Sequence, residues 1–253
     1  MLLVETSCRV FHADANMVAG DDMRRKGNLV EARFLRRPNR FAALVRLSQD
    51  GEEAMVHVTD TGRMRELLQE GRRVYLSPAD GKGRKTSYDL TLVDMDGALV
   101  SVDATLPNRL AAEAVERGAI PEFAGFQLAR REVTLGESRL DLLLKGQDRL
   151  CYIEAKSVTL VRDGTAFFPD APTARGRKHL VSLARAVSDG HRAAAVFVVQ
   201  RADAVSFRPN DDADPAFGQT LREIVGAGVE AYAYRCRITL EEAEIAGPVE
   251  VQL

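Results

Sequence analysis

Along the first hundred residues the apolar positions recur in short runs with a period of two, the spacing of strands with one buried face. Residues 28–35 read as a strand, Pro38-Asn39 turns, and Phe41, Ala43, Val45 and Leu47 alternate with their neighbours. Asp50-Gly51 turns again before Ala54, Val56 and Val58. The period then lengthens: Met64, Leu67 and Leu68 share one face over 62–70, which predicts a short helix ended by Gly71. Val74 and Leu76, residues 88–93 and residues 99–102 predict further strands, separated by Pro78-Ala79-Asp80-Gly81 and Asp96-Gly97. Three strands, a helix and more strands is the order of an OB-type barrel, a frame often used on oligonucleotides.

The second half mixes both periods. Leu110, Ala111, Ala114 and Val115 stripe a helix that starts at Pro107-Asn108 and closes at Gly118, and Leu180, Leu183, Ala184 and Val187 stripe another. Residues 193–199 are almost continuously apolar, as in a strand buried on both faces. Residues 215–227 predict a helix and 229–234 a last strand. Residues 1–22 show no clean period and are assigned no function. The expected division is a poorly ordered extension over 1–26, an OB-like domain over 27–106 and an α/β domain over 107–253.

Between these helices lies a hairpin, SRLDLLLKGQDRLCYIEAKS, with Lys145-Gly146-Gln147-Asp148 as its turn. If the turn holds an even number of residues, opposed positions sum to an odd number, so Asp141 faces Glu154 and shares a face with Lys156. Two carboxylates on neighbouring strands can hold a hard cation such as magnesium, and an ammonium about 7 Å beyond Glu154 reaches the same cavity. That is a phosphodiesterase layout, in which Lys156 orients water or stabilises the transition state. From spacing alone, a solvated sheet face is the commoner explanation.

Composition narrows the setting. With 253 residues, 45% hydrophobic and 28% charged, the chain can bury a real core, and no apolar run approaches the roughly 18 residues of a membrane helix. Without a secretory signal the expected location is cytoplasmic. Cys8, Cys151 and Cys236 form no metal or disulfide pattern and read as buried thiols. The net charge of -2 conceals two basic stretches: eight Lys or Arg against Glu31 alone over 23–46, and five against Asp189 over 173–192. Arg33, Arg36, Arg37 and Arg40, with Lys82, Arg84 and Lys85, are placed where a phosphate backbone could lie. Soluble hairpin edges would use the same residues.

Five segments carry a resemblance: FFPDAPTARGRKHL at 167–180, SRLD at 138–141, IEAKSVTL at 153–160, PNRL at 107–110 and TGRMRELLQEGRRVYL at 61–76. Together they resemble the sugar fermentation stimulation protein family from about Gly27 to the C-terminus. The resemblance implies an α+β protein of two domains, an N-terminal OB-like β-barrel followed by a restriction-endonuclease-like, PD-(D/E)xK-type α/β core. Asp141 matches the motif Asp, and Glu154 and Lys156 the Glu-x-Lys. The helix acid of such cores falls on Glu113, with Glu132 as a rival. The family is known as DNA-binding and linked to sugar-use genes. The expectation is thus a magnesium- or manganese-dependent DNA phosphodiesterase, the alternative a non-catalytic DNA-binding regulator, with DNA as partner, no membrane association and a homodimer left open. Arg175, Lys178 and His179, at the start of the following helix, are expected at phosphates beside the scissile bond; for His179 a capping or core-edge role stays open. One departure is Asp60 in Val58-Thr59-Asp60-Thr61, where the family usually shows Pro-Asn-Thr. An acid there would weaken a phosphate contact near the barrel.

Overall fold

A computed structural model describes residues 28–79 and 83–253, so Lys82 and the expected N-terminal extension lie outside the described residues. Six strands form the first unit: β1 (Val30–Asn39), β2 (Ala42–Leu47), β3 (Glu53–Val58), β4 (Arg73–Pro78), β5 (Tyr88–Met95) and β6 (Ala98–Ser101). They run β3-β2-β1-β4-β5-β6, and a parallel β3–β5 pairing through His57↔Asp89 and Val58↔Leu90 closes the first five into a barrel. This is the OB topology that the strand order predicted. Alternate residues fill it, among them Ala32, Phe34, Val45, Val56, Leu76 and Leu90.

The short helix expected over 62–70 does not form. Met64 takes a left-handed φ of 46°, and only isolated turn bonds follow, such as Leu67 N–H to the Met64 carbonyl. The Arg72 guanidinium donates to the Glu66 carbonyl at 2.7 Å, serving a group that a continuing helix would use itself. Met64 and Leu67 are nevertheless buried at the barrel end, which accounts for their apolar pattern.

The second unit opens with α1 (Leu106–Glu116) and β7 (Gln127–Leu135), β8 (Ser138–Lys145) and β9 (Leu150–Val158). The small hairpin β10 (Leu160–Arg162) and β11 (Thr165–Phe168) leads into α2 (Ala174–Ser188) and β12 (Arg192–Val199). Then come β13 (Ser206–Pro209), α3 (Pro215–Gly226), β14 (Glu230–Ile238) and β15 (Ala243–Val251). One nine-stranded mixed sheet results, in the order β10-β11-β13-β15-β14-β12-β9-β8-β7. The central β9, β12 and β14 are parallel, and β12 is buried on both faces, as its continuous apolar run requires.

Helices cover the two faces. Leu142, Ile153, Ala155, Val196 and Tyr234 pack with α1, while Tyr152, Val158, Phe197 and Phe207 pack with α2 and α3. The Phe197 and Phe207 rings stack at 4.1 Å, and Phe168 meets Phe217 edge-on at 5.1 Å. Cys151 and Cys236 are buried as expected, and burial pushes both thiols up to about 12.

Barrel and sheet meet along a polar seam. Ser101 N–H donates to the Gln200 carbonyl, the Gln200 side chain donates to Ser157 Oγ at 2.8 Å, and Ser157 donates to Asp60 Oδ2 at 3.4 Å. Asp170, between β11 and α2, accepts from the Met64 backbone N–H at 3.1 Å. Its carboxylate lies so close over Gly62 that a Cβ there would sit 2.5 Å from Asp170 Oδ2, so only glycine permits this approach.

Candidate active site and interdomain cleft

The hairpin register is the expected one. Leu142 pairs with Ile153 and Leu144 with Cys151, which sets Asp141 opposite Glu154 one step further on. At that step the ladder opens, because the Asp141 carboxylate itself accepts the Ala155 N–H at 2.8 Å through Oδ2. The neighbouring strand contributes to the twist: Glu132, between the pairs Arg131↔Leu142 and Val133↔Leu140, has a left-handed φ of 57°. Leu140 accordingly packs with the α2 side of the sheet, whereas Leu142 and Leu144 pack with the α1 side. Asp141 sits where the strand changes face.

Each carboxylate is held by a different helix. Asn108 on α1 donates to Asp141 Oδ1 at 2.5 Å. His179 on α2 uses Nδ1 to donate to Glu154 Oε1, and its Nε2 accepts from Arg175 Nε at 3.4 Å. Lys156 Nζ donates to the same Glu154 oxygen at 2.5 Å. Glu154 Oε2 is buried and accepts no hydrogen bond among the described residues.

These surroundings drive the two acids apart. Burial and the Glu154 charge push Asp141 up to about 7. Burial would also lift Glu154, but the His179 bond and the Lys156 ammonium outweigh it and hold that carboxyl below its ordinary value. Of the pair, Asp141 holds its proton the more tightly and Glu154 is the stronger acid. Hard oxygen donors of this kind suit magnesium, manganese or calcium. Among the described residues no three His, Cys, Asp or Glu side chains converge on one point, so a cation here would complete its shell with water, backbone or phosphate oxygens. That is the usual habit of magnesium bound by one or two carboxylates.

The other expected site residues are distributed less simply. Glu113 pairs with Arg117 at 3.8 Å and lines a crevice with Leu110, Ala119 and Glu244, a lining that does not include Asp141. The α1 side chain that reaches Asp141 is Asn108, five residues earlier and on a different face of the helix. The rival Glu132 is exposed and pairs with Arg139. Arg175 and Lys178 are exposed on α2, but Lys178 leans on Glu137 at 2.9 Å and Arg175 on His179. His179 is buried against Glu154, so the core-edge option describes it and a phosphate contact does not.

Of the barrel cations, Arg37 is consumed structurally. It donates to the carbonyls of Gly62, Arg63, Arg40 and Asp60, holding the loop after β3, and burial lowers its pKa. Arg84 pairs with Asp89, Arg33 turns towards the Gly71 carbonyl, and Arg36 and Lys85 are exposed. Arg40 alone among them lines the cleft beside the candidate site. This cleft, about 390 Å³, separates the barrel from the sheet and is lined by Asp60, Ser157, Thr159, Phe167, Asp170 and Thr173, among others. Sequence reasoning missed Asn108 and Asp170, although both lie within the quoted segments PNRL and FFPDAPTARGRKHL. Neither residue type signals chemistry without its partner in space.

A closed OB barrel followed by an α/β core with an Asp, Glu-x-Lys fork defines a two-domain protein with a restriction-endonuclease-type second domain. Residues 35–102 match the family model described as "SfsA N-terminal OB domain", and residues 105–242 the one described as "Sugar fermentation stimulation protein RE domain". The chain belongs to the sugar fermentation stimulation protein family. It is 50% identical over 228 residues to a sugar fermentation stimulation protein homolog from Moorella thermoacetica, covering 89% of this chain and 97% of the relative. A homolog from Desulforamulus reducens is 49% identical over 225 residues, 89% and 93% of the two chains. The solved structure of Pyrococcus furiosus SfsA in complex with Ca2+ superposes with a TM-score of 0.85 at 32% identity, covering 93% of this chain and all of that one.

Proposed function

We propose that this chain is a divalent-cation-dependent DNA phosphodiesterase, with Asp141 and Glu154 as cation ligands and Lys156 as the ammonium that assists the reaction. The observation that carries the reading is Glu154 Oε2, a buried carboxylate oxygen without a hydrogen-bond partner among the described residues, beside a second carboxyl whose proton affinity burial and charge have raised. A buried anionic oxygen left in that state is costly, and a cation is the group that relieves both features at once. A divalent ion held there would polarise the phosphoryl oxygens and lower the pKa of a bound water.

The protein's own residues do the rest. Asn108 and the Ala155 N–H fix the Asp141 carboxylate from two directions, and His179 fixes Glu154. Lys156, tethered to Glu154 Oε1, presents an ammonium that orients the attacking water or offsets charge on the phosphoryl oxygens. Arg40 at the cleft, with Arg36 on the barrel surface, supplies the sequence-independent grip on the phosphate backbone. The calcium in the Pyrococcus furiosus relative supports a divalent cation as the ligand class. No helix among the described residues is long and apolar enough to cross a membrane.

The test is cleavage of single-stranded, duplex and branched DNA with magnesium or manganese, comparing the protein with Asp141→Asn and Lys156→Ala purified in parallel. Cation-dependent cutting lost in both variants is expected. No cutting on any substrate, with salt-sensitive binding intact in all three proteins, would instead make the chain a DNA-binding protein on a nuclease scaffold.

A further inference from the structure

The cleft between barrel and sheet has a chemistry the phosphodiester reaction does not use. Its volume of about 390 Å³ lies within the roughly 300–1,000 Å³ of sites that enclose a small ligand. It begins at Ser157 and Val158, the residues directly after Lys156 on β9, so its mouth is about 3–7 Å along the strand from the candidate active site. That is comparable with the spacing of one or two nucleotides, about 3.4 Å each in a duplex. The walls come from both units: Thr59, Asp60 and Thr61 from the barrel, Ser157 and Asp170 from the second unit.

Charge decides what can enter. Asp60 and Asp170 repel a phosphate, and burial together with their mutual repulsion already raises the Asp60 pKa. The two Asp60 oxygens accept from the Gly62 N–H and from Ser157, and Asp170 Oδ2 accepts from the Met64 N–H. Asp170 Oδ1, in contrast, accepts no hydrogen bond among the described residues. A neutral group with N–H donors fits this lining.

We infer that the cleft receives an unpaired nucleobase next to the scissile phosphate, with Asp170 Oδ1 accepting from its exocyclic amino group. The inference rests on the DNA phosphodiesterase reading and names its substrate class: DNA carrying an unstacked adenine, cytosine or guanine, at a bulge, a mismatch or in a single strand. A base must leave the helical stack to enter an enclosed cleft, and that costs least where it has no pairing partner. Arg40 at the rim meets the backbone, while the carboxylates inside exclude it.

The experiment is fluorescence anisotropy of labelled duplexes in calcium, with one bulged position occupied by cytosine, thymine or an abasic tetrahydrofuran, and a fully paired control. The expected result is about tenfold or tighter binding of the cytosine bulge over the abasic bulge, the size of one hydrogen bond to a charged acceptor. Asp170→Asn retains an acceptor for the Met64 N–H but turns an amide donor into the cleft, so the preference should move from cytosine towards thymine. Equal affinity of the wild-type protein for cytosine and abasic bulges overturns the cleft assignment and leaves the phosphodiesterase reading standing. An unaltered base preference in Asp170→Asn also overturns it. Failure to bind DNA of any form overturns both readings.

Discussion

Replacing Asp141 by Asn separates two roles of this carboxyl, its place in the fold and the cation binding proposed for it. Its pKa of about 7 against an ordinary 3.8 means that the folded protein holds the Asp141 proton more tightly than the unfolded chain does. A raised carboxyl makes its full contribution to stability below pH 3.8 and loses it as pH rises through 7. At about 1.4 kcal/mol per pH unit, the loss approaches about 4 kcal/mol by pH 8 as an upper bound. The substituted amide carries no charge, and by rotating the Asn108 amide it can keep both hydrogen bonds, to Asn108 and to the Ala155 N–H. In EDTA, therefore, Asp141→Asn should match the wild type in urea unfolding near pH 4 and exceed it increasingly up to pH 8. Divalent cations should reverse the order. Binding must expel the Asp141 proton, so apparent affinity for calcium or magnesium should rise about tenfold per pH unit from 5 to 7 and level off above, and the variant should show no such stabilisation. A variant that is less stable than the wild type by the same amount at pH 4 and pH 8, or that retains the full cation shift, would refute the electrostatic account of the site.

The remaining predictions concern the groups that hold the site in place. His179→Ala removes a donor from buried Glu154 and should cost about 1–3 kcal/mol in urea unfolding, while His179→Gln restores a donor and recovers part of it. The same substitution to Ala should raise the Glu154 pKa and move the acid limb of any cleavage profile to higher pH. Arg37→Lys should destabilise the barrel in thermal melts, since one ammonium cannot serve four carbonyls, yet leave the salt dependence of DNA binding unchanged; Arg40→Ala should do the opposite, reducing the salt slope by about 1. Gly62→Ala should lower the melting temperature by displacing the Asp170 carboxylate, and its cost should largely vanish in an Asp170→Ala background, a coupling visible in a double-mutant cycle.

The local patterns determined a good deal of this protein. Alternation over 28–58 and 88–102 marked the barrel strands, the continuous apolar run at 193–199 marked a central strand, and the even hairpin turn set Asp141 against Glu154. These features are legible because side-chain period and turn length act between near neighbours in sequence. The strands β10, β11, β13 and β15 escaped that reading. β15 contains Gly247 and Pro248 and pairs with β14 across a register shift at Arg235/Cys236, and β13 is four residues long. β10, β11 and β13 run only three or four residues, too short for a period to show, and the parallel pairings of β13 with β11 and β15 join segments distant in the chain. In the same way Met64 and Leu67 obeyed a helical spacing because the barrel end buries them, while Arg72 and Asp170 took the backbone partners that a helix needs.

The site divides along the same line. Asp141, Glu154 and Lys156 were legible because two adjacent strands and one short turn bring them together. Asn108 in place of Glu113, His179 turned inward to Glu154, Arg37 committed to a loop, and the Asp60 and Asp170 walls of the cleft were decided only by tertiary structure. Which side of a helix faces the sheet depends on packing against residues dozens of positions away, and a guanidinium or carboxylate takes whichever partner the folded chain brings within about 3 Å. A residue's chemical type is written in the chain, whereas its partner is a property of the fold.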